Sequence, residues 1–520
     1  MASSAPAGPA PADPPPEVEP APLVPAQRSP AEARLIPTQR GPTALERPLA
    51  PADHPSAPAG PRAPSAPSAP QAPSAPPAPH APLASPRRSS RWPGVVAVAL
   101  FVAVSLVLAV GSVATAVLAA ARVDLSGTTS TWVDGMRPEV RNAATGALLT
   151  RRADAVRAKD KAAFLADIAT TDAAFLRRQE VVFENLTRLP LAELAFVLEP
   201  KRQYDHLIDT SLSGRFQSLV SAPGVTVRYR IDGIDSVPVT APWVPVFGLQ
   251  RGRWMLVGDL LDSALPYGTR GQPWDGGPIE VLRSERVVVV ISASDTARGR
   301  SLLEQSEAAL TKVARVRPSG WDGRVLLTAV QDQRIFDAYF GDSPERVAKV
   351  AAIAVPYYDR VPDWHDAPAY ATTRVVFNPR ELSAPAAELA HDLTHEFAHA
   401  ALGPVTGVHT PRWVVEGLAE YIAFKGTEVD PAQLRNVLKD VDVSAGLPAD
   451  ADFYANAHNY ATAWVACRMI AEKYGEKKLL AYYESFQREP SEDANARSML
   501  GVTSETLVAE WQETIRRLRG

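Results

Sequence analysis

The stretch His391–Glu420, HDLTHEFAHAALGPVTGVHTPRWVVEGLAE, decides the fold of the C-terminal part of this chain and dictates a chemistry. Residues four apart share one face of a helix, so HEFAH sets the imidazoles of His395 and His399 side by side with Glu396 next to them. Two imidazoles at that spacing suit zinc, which takes a third protein ligand and keeps a fourth position for water. Glu396 projects toward that water.

The residues C-terminal to the histidine pair predict the third ligand. The first helix is expected to start with Ser383 as N-cap and Pro385 in its first turn, and to end after Leu402 at Gly403-Pro404. A second helix is expected from Thr410 and Pro411, through Trp413, Glu416, Glu420 and Tyr421, to about Gly426. Such a helix, turn, helix unit returns a carboxylate to the first helix. Glu416 is the candidate ligand, and Glu420, one turn later on the same face, is placed to accept a hydrogen bond from a ligating imidazole. An HExxH segment alone also occurs on solvated helix faces; the second acidic helix is what favours a metal. His391, one turn before His395 on the same face, could border the cleft or substitute as a ligand but reads first as a surface histidine; His409 in the turn could line the site but reads first as a loop residue.

HEFAH at 395–399 followed by WVVEGLAEY at 413–421 resembles the gluzincin zinc metallopeptidases, whose second helix has the form W-x-x-E-G-x-A-x-Y. More closely, it is similar to the peptidase MA-like domains of membrane-anchored actinobacterial proteins. The likeness implies a zincin-like catalytic domain, mainly helical with a small sheet, that hydrolyses peptide or protein substrates. It implies Zn2+ held by His395, His399 and Glu416, with Glu396 as general base and proton shuttle. Zinc lowers the pKa of its water from about 16 to about 7 and polarises the scissile carbonyl. Some gluzincins stabilise the developing oxyanion with a Tyr or His outside the zinc motif. Here Tyr460, near the start of an expected helix reaching about Tyr474, is the candidate, with His458 beside it. The likeness also gives residues 374–378 the part of an edge strand that pairs with extended substrate.

Two other functions compete with a peptidase. One is a zinc amidase or cell-wall hydrolase; the other is a catalytically silent envelope protein that binds a partner. The complete set of acid and ligand residues argues against the silent form.

From Gly94 to Ala121 the chain runs 28 residues without a charge, and about 20 apolar residues cross a bilayer. A single transmembrane helix is expected over 93–121. Arg87, Arg88 and Arg91 flank its N-terminal end, which puts the N-terminus in the cytoplasm and the larger C-terminal part outside the cell membrane. Ala119 and Ala121 resemble a small-x-small cleavage site, but the run is long and far from Met1, so an uncleaved anchor is expected. Residues 1–92, rich in Pro, Ala and Ser as in APSAPSAPQAPSAPPAPHAP, cannot bury enough apolar surface to offset ordering and are expected to be a disordered tail.

Between anchor and motif, residues 140 to about 200 show helical periodicity. Strand-like runs come next at 225–234, 243–250 and 253–260, the last two joined by an Arg251-Gly252 turn. Helices followed by a curled antiparallel sheet resemble the cone-like fold of the nuclear transport factor 2 superfamily, which implies a spacer or ligand-binding domain over 122–275. The Gly- and Pro-rich segment 268–278 then leads into the catalytic domain, 276–520, where strands at 286–292 and 324–330 flank a helix from about Ala297 to Val316. The chain from about 429 is expected to be helical and to form the far wall of the cleft. The fold class is thus α+β.

A net charge of −4 and the lack of a basic patch with interleaved aromatics argue against nucleic-acid binding. The single cysteine, Cys467, lies in an apolar helical pattern and allows no intrachain disulfide. No feature of the sequence fixes the oligomeric state.

Overall fold

A computed structural model describes residues 137–169, 171–217, 219–260, 271–339, 350–360 and 369–520. The expected tail 1–92 and the expected membrane helix 93–121 lie outside the described residues. Among the described residues no helix is long and apolar enough to cross a membrane. Helix and sheet are mixed along the chain, an α+β composition.

The first part begins with three helices: α1 (Pro138–Ala158), α2 (Lys161–Leu165) and α3 (Ala173–Arg188). Pro138 opens α1 where its missing N–H costs nothing, and Asp160 and Asp172 cap α2 and α3 through side-chain bonds to backbone amides. After β1 (Leu191–Gln203) come α4 (Thr210–Arg215), β2 (Val220–Ser221), β3 (Pro223–Ile231), β4 (Val239–Trp243), β5 (Pro245–Gln250) and β6 (Arg253–Asp259). They form two antiparallel sheets, β1-β3-β4 and β2-β5-β6. The β5–β6 hairpin turns at Arg251 and Gly252, both at positive φ (50° and 77°), the geometry that matches strand twist. The helical reading to about residue 200 is corrected by β1. Leu, Ala and Glu in LAELAFVLE favour helix, but pairing of Glu193–Glu199 with Arg230–Gly224 of β3 overrides that local preference.

The second part is built on a five-stranded sheet. It contains β7 (Ile279–Arg283), β8 (Val287–Ser292), α5 (Thr296–Val316), β9 (Val325–Ala329), α6 (Gln333–Asp337), β10 (Ala352–Tyr358) and β11 (Tyr370–Phe377). The strand order is β10-β11-β9-β8-β7; β8, β9 and β11 run parallel, and the two outer strands are antiparallel to their neighbours. The expected edge strand at 374–378 is therefore corrected: residues 374–377 lie in β11, hydrogen-bonded to β10 on one side and β9 on the other. The edge beside it is β10.

Side chains alternate across this sheet, and both faces are buried, as the apolar run in β8 requires. Val287, Val289, Ile291, Leu327, Val375 and Phe377 face one core with the C-terminal helices, while Val288, Val290, Leu326, Ile353 and Val376 face the other with Phe164, Phe183, Val227 and Trp274 of the first part. The first part thus packs directly on the back of the sheet.

Seven helices complete the chain: α7 (Ala386–Leu402), α8 (Arg412–Phe424), α9 (Pro431–Leu438), α10 (His458–Tyr474), α11 (Glu476–Ser485), α12 (Glu492–Asn495) and α13 (Ser504–Arg519). The expected Ser383 cap is corrected to Pro385, which precedes α7 in an extended conformation. Ala384, placed before a proline, is biased away from helical geometry, so the helix cannot begin earlier. Leu402 ends α7 and Pro411 precedes α8, as expected. Gly417 lets α8 lie close against α10, since a Cβ there would stand 2.5 Å from the carbonyl oxygen of Ala463. That contact accounts for the glycine in WVVEGLAEY.

Candidate metal centre

Helix α7 carries His391, His395 and His399 on successive turns of one face, and α8 carries Glu416 and Glu420 one turn apart on the face turned toward it. His395, Glu396, His399, Glu416 and Glu420 are all buried, none more than 3 % exposed. Polar groups so deep need partners.

Three of them converge. The Nε2 atoms of His395 and His399 lie 3.0 Å apart, and each is 3.3 Å from Oε2 of Glu416. Ligand atoms about 2.0–2.1 Å from a tetrahedral ion stand about 3.3 Å from one another, so these three have the spacing of one tetrahedral face. Among the described residues Oε2 of Glu416 has no hydrogen-bond partner of its own. His395, His399 and Glu416 are geometrically able to hold a metal ion.

The electrostatics agree with that geometry. Nδ1 of His395 lies 3.2 Å from Oε1 of Glu420, an ion-pair contact that favours a proton on Nδ1 and leaves Nε2 as the nitrogen that faces Glu416. Lone pairs of two imidazoles and a carboxylate facing one point repel unless a cation sits among them. Without a metal, a proton takes that place. Burial opposes charge on His395, but Glu420 and Glu416 outweigh it and raise its pKa to about 10. Burial likewise opposes the Glu416 carboxylate, yet His399 and His395 lower it to about 2. Glu420 is held well below the carboxylate range, with His391 and His395 overcoming its burial.

Glu396 behaves differently. Burial dominates, and although His395 and His399 pull it down, its carboxyl is pushed up to about 7. Its Oε2 is buried without a hydrogen-bond partner among the described residues. A carboxyl poised near neutrality is suited to accept and return a proton.

Tyr460 is buried at the border of the cluster, its ring centroid 6.4 Å from that of His395, and packs on Phe453 at 5.1 Å. His458 opens α10 and belongs to no metal-capable group among the described residues. His409 is exposed in the turn between α7 and α8, as expected of a loop residue.

Two further partners join the cluster. His391 is half-buried, and its cleft-bordering reading fits better than the surface one: its Nε2 sits 3.0 Å from Oε2 of Glu420, giving that carboxylate a second imidazole. The phase of α7 already put it on the ligand face, and the signal was its spacing of four from His395. Tyr454 donates its hydroxyl to Oε1 of Glu416 at 2.9 Å. It lies in the short 3-10 segment Asp450–Ala455, whose side-chain directions carry no periodicity readable in sequence.

No protein-family model matches the chain, and no curated protein matches it. The site's chemistry stands on its own geometry.

Proposed function

We propose that this chain is a zinc metallopeptidase of gluzincin type, anchored by residues 93–121 with its N-terminus in the cytoplasm and its catalytic part outside. In this proposal 122–275 is a cone-like spacer or ligand-binding domain, and 276–520 is zincin-like. One observation carries the chemistry. Two imidazole nitrogens and a carboxylate oxygen converge at 3.0 to 3.3 Å, with a buried carboxyl of raised pKa on the intervening residue of the same helix.

Zinc bound there supplies a Lewis acid for the scissile carbonyl and brings the pKa of water toward neutrality. Glu396 takes a proton from the attacking water and returns it to the leaving amine, so the site ends as it began. His391 and Glu420 hold the His395 ring and its tautomer, and Tyr454 holds Glu416. Tyr460 is the proposed donor to the developing oxyanion.

The test is metal content and cleavage on the full-length chain. About one zinc per chain, lost in His399→Ala, with cleavage of an unstructured protein, supports the proposal. A wild-type chain that takes up no zinc when supplied, or that cleaves cell-wall fragments alone, overturns it.

A further inference from the structure

The face of α7 that carries the proposed zinc ligands holds a second convergent group, one turn nearer the N-terminus of the helix. His391, His395 and Glu420 each offer it a ligand atom, and these atoms all lie within 4.8 Å of one another. Oε2 of Glu420 stands 3.0 Å from Nε2 of His391, and Oε1 stands 3.2 Å from Nδ1 of His395. Both contacts are short enough for a hydrogen bond, yet among the described residues none of these four buried atoms has a hydrogen-bond partner. Distance is satisfied and direction is not.

Close approach without alignment is what ligand atoms on one ion show, since they stand about 3.3 Å apart and their lone pairs meet at a point between them. Oε2 of Glu416 has the same signature in the first site, 3.3 Å from two imidazole nitrogens and likewise unpartnered. Glu420 is therefore a buried carboxylate with no aligned donor, which is costly unless a cation offsets it. The donor set, two imidazoles and one carboxylate, suits zinc better than magnesium or calcium, which take oxygen ligands. The His395 and Glu420 side chains are sealed at 1 % and 2 % exposure, whereas that of His391 is 15 % exposed, so the group opens to solvent on the His391 side. The ring of Phe424 packs on the His391 ring at 4.5 Å between centroids and holds it in place.

We propose that His391 Nε2, His395 Nδ1 and the Glu420 carboxylate form a second, weaker site for a zinc-like divalent ion, so that His395 bridges two ions through its two ring nitrogens. Binding displaces the Nδ1 proton of His395 to solvent, and nothing is oxidised or reduced. That displacement opposes binding, so the second site fills only when zinc is in excess and empties on dialysis into zinc-free buffer. The inference shares His395 with the zinc site proposed above and requires no catalytic activity.

The probe is zinc chloride alone, equilibrated by dialysis with the full-length protein in detergent over a range of free zinc, with bound metal read by elemental analysis. Uptake is expected in two steps, a first ion retained in zinc-free buffer and a second with a dissociation constant on the order of 10 μM. His391→Gln, checked for fold by circular dichroism, is expected to keep the first step and to weaken the second by about tenfold or more. His399→Ala is expected to lose the tight step and keep the weak one. Wild-type uptake that stops at one ion in excess zinc overturns this proposal alone and leaves the first site standing; uptake of no ion overturns both. A second ion bound equally well by His391→Gln lies elsewhere on the chain and overturns it too.

Discussion

Glu420 sets one carboxylate oxygen 3.2 Å from His395 Nδ1 and the other 3.0 Å from His391 Nε2, so a single acid lies in ion-pair contact with two imidazoles on the facing helix. The consequence falls on Nε2 of His395: with the Nδ1 proton directed at Glu420, it is Nε2, beside Glu416, that gives up its proton when a metal binds. Glu420→Gln keeps the shape and removes the charge. Metal affinity is expected to fall about 10- to 100-fold, measured by competition with a chelator. Unchanged affinity would show that the tautomer is fixed without Glu420.

Glu396→Gln separates binding from chemistry. Glu396 is beside the converging donors without being one of them, so the variant is expected to retain its metal. Peptide hydrolysis is expected to drop by about 10²- to 10⁴-fold through kcat, the range for loss of a general base. Loss of the metal as well would move Glu396 into the ligand set.

The site was largely legible in sequence because its parts are helical. Spacing of three and four residues places side chains on one face wherever the helix lies, so His395, His399, Glu416 and Glu420 could be assigned together. Strands were less legible. β1 is composed of good helix formers, and only its pairing with β3 makes it a strand. The strand at 374–377 is readable as a strand, but its place inside the sheet depends on β10, whose apolar run gives no sign of which neighbour it will choose. Tyr454 shows the same limit at shorter range, since in a 3-10 turn no periodicity points a side chain at Glu416.

Tyr454 and Tyr460 can be told apart by what each loses as phenylalanine. Tyr454→Phe leaves Oε1 of Glu416 without its donor, so metal affinity is expected to fall by about tenfold, the effect of one hydrogen bond to a charged group. Tyr460→Phe is expected to leave metal affinity unchanged and to lower kcat with little change in KM. The reverse pattern would exchange their roles.

Gly417 tests the packing that sets the site. A methyl group there meets the Ala463 carbonyl at 2.5 Å, and backbone on both helices must shift to admit it. Gly417→Ala is expected to destabilise the fold by about 1–3 kcal/mol despite the better helix propensity of alanine. Because Glu416 is the adjacent residue, chelator resistance should fall along with the melting temperature. A more stable variant would mean that α8 and α10 have room to spare.

Stability of the first part of the fold is expected to depend on pH through Asp275. Burial raises its carboxyl to about 7, with Asp259 adding to the rise, while the Gln272 amide, Arg152 and Arg178 pull the other way. In the unfolded chain an aspartate titrates near 4, so between about pH 4 and 7 the folded chain holds a proton that the unfolded chain has released. Stability from this group is complete below pH 4 and is lost as pH rises through about 7, with a slope of at most about 1.4 kcal/mol per pH unit. Asp275→Asn imitates the protonated form at every pH. Urea unfolding of both chains between pH 5 and 8 should therefore show wild type losing ground to the variant as pH rises. Parallel curves would mean that Asp275 is ionised throughout.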